Sequence, residues 1–133
     1  MSTERINLEV PATPSALPVV RRVLGGLGAR LGYSLDDLED LYLATGELLR
    51  VALGCEPLER VRVEMVVGTD DLSLTLGTFT SPDLRAEVTA QVRTCADIDL
   101  CRLLHRTVDE VFVVDVGEAF DVLLVRRHRG ARA

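Results

Sequence analysis

The stretch LYLATGELLRVALG, Leu41 to Gly54, places a carboxylate, Glu47, among apolar residues at helical spacing, with Arg50 one turn on. Such a glutamate is either an acid–base group in a working site or one half of a surface ion pair with its arginine neighbour. The choice decides whether the chain is an enzyme. A second chemical candidate, the glycine cluster Gly25, Gly26 and Gly28, lacks the marks of a phosphate loop. No strand leads directly into it and no Gly-Lys-Ser/Thr closes it, so close helix packing is its expected purpose. Cys55, Cys95 and Cys101 form no CxxC pair, and His105 and His128 stand far apart in context. Reduced, partly buried thiols are expected there, and no metal site. Every basic side chain is arginine, which removes any lysine-dependent mechanism.

The bulk composition narrows the classes further. A chain of 133 residues, 47% hydrophobic and 27% charged, fits one globular domain spanning 1–133 with a real core. Its net charge of −6, from 15 basic and 21 acidic residues, argues against sequence-independent nucleic-acid binding, which needs a basic face. The basic ending RRHRGARA, from Arg126, reads as a frayed, solvated terminus. No apolar run approaches the roughly 18 residues of a membrane span. MSTERINLEV lacks the basic-then-apolar pattern of a secretion signal, so a cytoplasmic location away from membranes is expected.

The elements that must position these residues follow from periodicity. Alternation in INLEV predicts a strand, and Leu17, Val20, Leu24, Leu27 and Leu31 form one stripe of an amphipathic helix. Gly32 ends that helix. Ser34 and Asp37 resemble a capping box opening a second helix from Leu35 to Leu53. RVRVEMVV and LSLTLGTF flank GTDD as a hairpin, stopped by Ser81 and Pro82. Leu84, Val88, Val92 and Cys95 permit a helix; Thr94 and Asp97 can cap another carrying Leu100, Leu103, Leu104, Thr107 and Val108. VFVVDV, a turn at Gly117, and FDVLLVRR close the chain as two strands. Neighbouring strands with helices on one face give an α+β two-layer sandwich.

The run PATPSALPVVRRVLGGLGARLGYSLDDLEDLYLATGELL resembles the opening of bacterial anti-sigma-factor serine kinases, members of the GHKL (histidine-kinase-like) ATPase superfamily. LLHRTVDEVFVVDVGEAFDVLLVRR is similar to their last helix and final hairpin, and LATGEL and VDEV are the two short stretches that carry most of the likeness. The resemblance implies the Bergerat fold, a mixed, mostly antiparallel sheet with helices on one face.

It also implies roles. In these kinases the second helix carries a glutamate base and, four residues later, an asparagine that holds magnesium. Glu47 matches the base; the asparagine position is Val51, followed by Ala52 as the pattern expects. Magnesium wants hard oxygen ligands, and valine has no lone pair. Where relatives often have His-Ala or His-Gly, this chain has Cys55. The Asp-x-Gly-x-Gly motif that recognises adenine is replaced by LGTFTSPDL, with Gly77 alone and Asp83 beyond Pro82. The glycine pair before the last helix is replaced by Ile98, Asp99 and Leu100, and Asp97 and Asp99 would repel phosphate. A domain without ATP or magnesium is therefore expected, with Glu47 a vestigial base or an arginine-paired surface carboxylate. Expected partners are a sigma factor or an anti-sigma-factor antagonist gripped through the first helix, with Arg21 and Arg22 the matching arginines, and a homodimer or a heterodimer with a related domain. The alternative is a divergent serine protein kinase acting on such an antagonist, with Glu47 as base and Asp40 or Asp83 as substitute metal ligand.

Overall fold

A computed structural model describes residues 4–68, 70–89 and 100–127. Its elements, in chain order, are β1 (Glu4–Pro11), a single 3-10 turn (Pro14–Ala16), α1 (Leu17–Arg30), α2 (Leu35–Cys55), β2 (Arg60–Val67), β3 (Asp71–Phe79), α3 (Pro82–Thr89), α4 (Leu100–Thr107), β4 (Glu110–Val116) and β5 (Ala119–Arg127). The strands form one sheet in the order β1-β2-β3-β5-β4. Every pairing among the described residues is antiparallel, as the expected mostly antiparallel sheet requires.

Period-two alternation sends Val61, Val63, Met65 and Val67 of β2, and Leu72, Leu74 and Leu76 of β3, into the core under the helices. α2 meets them with Leu38, Leu41, Ala44, Leu48, Leu49 and Ala52. Leu41, Leu48, Met65 and Leu74 are fully buried, each a gain of about 1.5–3 kcal/mol over exposure. The sheet's other face carries no helix among the described residues.

The two long helices are bounded as their sequences dictate. Gly32 takes a left-handed φ of 78° and closes α1; Tyr33 N donates to Gly28 O (3.0 Å) and Gly32 N to Ala29 O (3.3 Å), satisfying carbonyls the helix end leaves open. Ser34 Oγ then accepts from Asp37 N at 3.1 Å to start α2, which runs two residues further than the sequence predicts and takes in Cys55.

Two local expectations need correction, and a third falls partly outside the described residues. Only Gly28 serves close packing, since a Cβ there would land on the Leu38 side chain, whereas a Cβ on Gly25 or Gly26 would meet nothing within 4 Å. Gly25→Ala should therefore stabilise the domain by about 0.5–1 kcal/mol, read from the urea midpoint at unchanged m-value. Arg126 and Arg127 belong to β5 rather than to a frayed tail. The helix permitted through Cys95 is described only as α3, ending at Thr89; the Thr94 cap, Cys95, and Asp97, Ile98 and Asp99 lie outside the described residues, as does His128.

Candidate functional site

Helical spacing puts Glu47, Val51 and Cys55 in a row along α2, and α2 packs against α1, α3 and α4. Glu47 Oε2 accepts from Arg50 Nε at 2.9 Å and lies 2.7 Å from its Nη2, so the predicted local pairing is present. The pair is partly solvated and its contribution is small, under about 1 kcal/mol. Val51, half-buried, packs against the core and offers hydrocarbon where a metal ligand would be needed. Burial, then the carboxylates of Asp83 and Glu87, push the Cys55 thiol up, against a hydrogen bond with Ser81. Asp83 stands in the first turn of α3, beside this acidic end of the row. Asp40 is engaged elsewhere, 3.2 Å from Arg126 Nη2.

The junction between β3 and α3 holds a group that the sequence did not single out. Glu56, which ends α2, turns its carboxylate onto the start of α3. It accepts from Thr80 N (3.0 Å), Thr80 Oγ1 (3.0 Å) and Ser81 N (2.8 Å), while Ser81 Oγ caps Leu84 N at 3.2 Å. The amides that lead into α3 are thus satisfied by the chain's own carboxylate. A magnesium-chelated triphosphate requires hard oxygen ligands and free donors at a helix start. Val51 and an arginine-bound Glu47, with Asp83 and Glu87 near the end of the row, do not fit it. Among the described residues no group of three or more His, Cys, Asp or Glu is placed to hold a metal.

On the helical layer the two candidate arginines part company. Arg21 is paired with Glu39, and its guanidinium lies 5.1 Å from the centre of the Tyr42 ring. Arg22 is exposed and forms no ion pair or side-chain hydrogen bond among the described residues. Near them an apolar groove of about 400 Å³ runs past Leu17, Tyr42, Leu43, Gly46 and Leu53, with the Glu47–Arg50 pair on its rim.

Two buried charge clusters escaped the sequence. Arg126 Nε and Nη2 donate to Asp37 Oδ1 at 3.1 and 2.8 Å, and Nη1 donates to Thr107 O at 3.0 Å. One guanidinium thus ties β5 to the start of α2 and the end of α4. The Tyr33 phenol donates to Gly68 O nearby (3.4 Å), and burial, then Asp71, Asp37 and Asp70, push its pKa up. On the open face of the sheet, Asp121 is buried against Arg62 Nη2 (3.2 Å) and accepts from Thr78 Oγ1 (3.0 Å), in space that Gly77 leaves free. The alternation Phe120, Val122, Leu124, Arg126 was the available signal for the first cluster, since it turns Arg126 inward. Nothing local announced the second.

The arrangement of a five-stranded antiparallel sheet under α1 to α4 is a known one. The chain superposes on the crystal structure of the RsbU and RsbW domains of Rv1364c from Mycobacterium tuberculosis with a TM-score of 0.66, covering 95% of this chain and 33% of that one at 14% identity. That likeness shows a shared fold, an α+β sandwich. In sequence, 46 residues are 41% identical to the serine-protein kinase RsbW of Bacillus velezensis and 37% identical to that of Bacillus subtilis. A further 44 residues' match, at 43% identity, is to the serine-protein kinase RsbW of Halalkalibacterium halodurans. The match to the first two covers 35% of this chain and 29% of each relative, so it spans less than a third of their length. No family model matches the chain. Partial sequence similarity and a shared fold together accord with the anti-sigma-factor kinase resemblance. No helix among the described residues is long and apolar enough to cross a membrane.

Proposed function

We propose that this domain is a regulatory binding protein of the anti-sigma-factor type, which sequesters a sigma factor or an anti-sigma-factor antagonist and takes up neither ATP nor magnesium. The observation that carries the proposal is Val51, a hydrocarbon one turn beyond Glu47 where an oxygen ligand would be needed. The Glu47–Arg50 pair supports it. The partner surface is the outer side of α1, where Arg22 is unpaired and Gly25 and Gly26 leave room for another backbone to approach. An arginine fork there suits a partner carboxylate. Arg21, tied to Glu39 and Tyr42, shapes that surface from the side.

The competing reading, a serine protein kinase with Glu47 as base, draws on the names of the relatives. Thermal unfolding with and without millimolar Mg-ATP separates the two. The melting temperature is expected to stay unchanged, because each unmade phosphate or metal contact removes about 1–3 kcal/mol of binding. A clear upward shift would overturn the nucleotide-free reading, and phosphate transfer to an antagonist abolished by Glu47→Ala would establish the kinase. Capture of the full chain's partners from its native cell, with a sigma factor or antagonist retained, is the expected positive result.

A further inference from the structure

A polar cavity of about 410 Å³ opens on the helix-free face of the sheet, between Asn7 and Glu9 of β1, Arg60 and Arg62 of β2, and Gly77 and Thr78 of β3. Strand register explains it. Glu9 pairs with Arg62 and Arg62 with Gly77, so one row across the sheet runs acid, arginine, glycine. Gly77 adds no side chain, and the Arg62 guanidinium spans the gap to Asp121 of β5, 3.2 Å away. Asp121 is buried and also takes the Thr78 hydroxyl at 3.0 Å, so it anchors Arg62 as a fixed group. Arg60 stands two residues away on the same strand face, its Cα about 7 Å from that of Arg62 by strand rise. Its Nη2 donates to the Glu9 carbonyl at 3.2 Å. Each guanidinium has five N–H donors, and among the described residues each makes one hydrogen bond, through Nη2. The Glu9 carboxylate, 65% exposed, lies 3.5 Å from Arg60 Nε, an ion pair without a hydrogen bond. The exposed Asn7 amide adds a further donor to the wall.

We infer that this cavity binds a small carboxylate, held between the uncommitted N–H edges of Arg62 and Arg60 and the Asn7 amide. A planar guanidinium fork matches a carboxylate, and two forks on one wall can share its oxygens. Asp121 acts as a positioning residue, because it fixes the inner edge of Arg62 and leaves the outer edge to the ligand. The solvated Glu9 carboxylate gives way to it. Charge sets the class. Two arginines face Glu9 and Asp121, so the cavity is formally neutral, and its carboxylates repel a phosphate dianion about twice as strongly as a monocarboxylate. The site lies across the sheet from α2. It goes beyond the partner-binding reading and does not depend on it.

The test titrates the full chain with acetate and, separately, with inorganic phosphate buffered above its second pKa, both at constant ionic strength. Backbone amide and arginine Nε–H signals are followed by nuclear magnetic resonance. The expected result is a saturable acetate response at Gly77, Thr78 and Arg62 Nε. Arg60→Gln removes one fork; Arg62→Lys replaces the other with a point charge that still neutralises Asp121. Each should raise the acetate Kd at least about fivefold. Arg5→Gln, on the same face but outside the cavity, should leave the Kd unchanged. The same spectra confirm that the variants fold. Shifts that stay linear in acetate overturn the proposal. So does saturation that survives both arginine changes, which marks an adventitious ion only. Phosphate bound as tightly as acetate overturns the carboxylate class. None of these outcomes bears on the Mg-ATP and partner-capture readouts, so failure here and failure of the anti-sigma-type reading are distinguishable.

Discussion

Replacing Arg126 with methionine is expected to cost about 3–5 kcal/mol of unfolding free energy, as removal of one partner of a buried ion pair does. The Arg126 side chain is 14% exposed and that of Asp37 5%, so water cannot take over the lost contacts. Both short contacts reach Oδ1, while Oδ2 of Asp37 is buried without a partner. The substitution would leave the whole carboxylate, and Thr107 O, without their donor. Methionine keeps the aliphatic stem that packs beside them, so the loss reports the charge. Asp37→Leu together with Arg126→Met should be clearly more stable than Arg126→Met alone, because no charge then remains buried. Urea unfolding of the three proteins measures this; a single-variant loss below about 1 kcal/mol would show that the pair is solvated in solution.

Gly77→Ala is the second large effect, an expected loss of about 2–4 kcal/mol from overpacking and a displaced buried carboxylate. A Cβ at position 77 would stand 2.8 Å from Asp121 Cγ and 3.2 Å from its Cα, so rotation of the side chain alone cannot clear it. Asp121 would have to leave Thr78 and Arg62, and the β3–β5 ladder, already irregular between Leu76 and Phe79, would have to shift. Asp121→Ala in the same chain removes the obstruction and frees the Thr78 hydroxyl and Arg62, which is half in solvent. The double variant should recover much of the loss, giving a coupling energy well above the few tenths expected of independent sites. Additive losses would mean that the two residues do not share that space.

These two clusters mark where sequence reasoning stopped. Glu47 and Arg50 were legible as a pair because three residues on a helix fix their distance. Asp37 and Arg126 lie 89 positions apart, and only the folded sheet brings them together. Ser34 and Asp37 were read correctly as a helix start, yet the Asp37 carboxylate points across to β5. Strand and helix order followed from apolar spacing, which burial enforces. Antiparallel pairing followed from strands that are neighbours in sequence, whereas the meeting of β3 with β5 needed the folded sheet. Gly25 and Gly26 misled for a physical reason: a helix glycine has a cost, and the sequence cannot show whether the space it opens faces inward or outward. Gly77 stood out only as a missing motif, and its use, to house Asp121, needs the third dimension.

The Glu56 carboxylate carries a mechanical consequence. A helix whose lead-in amides are held by the residue that ends another helix has a shared pivot with it. Tilting α3 would pull Thr80 and Ser81 off Glu56 together, so the end of α2, the tip of β3 and the first turn of α3 travel as one rigid corner.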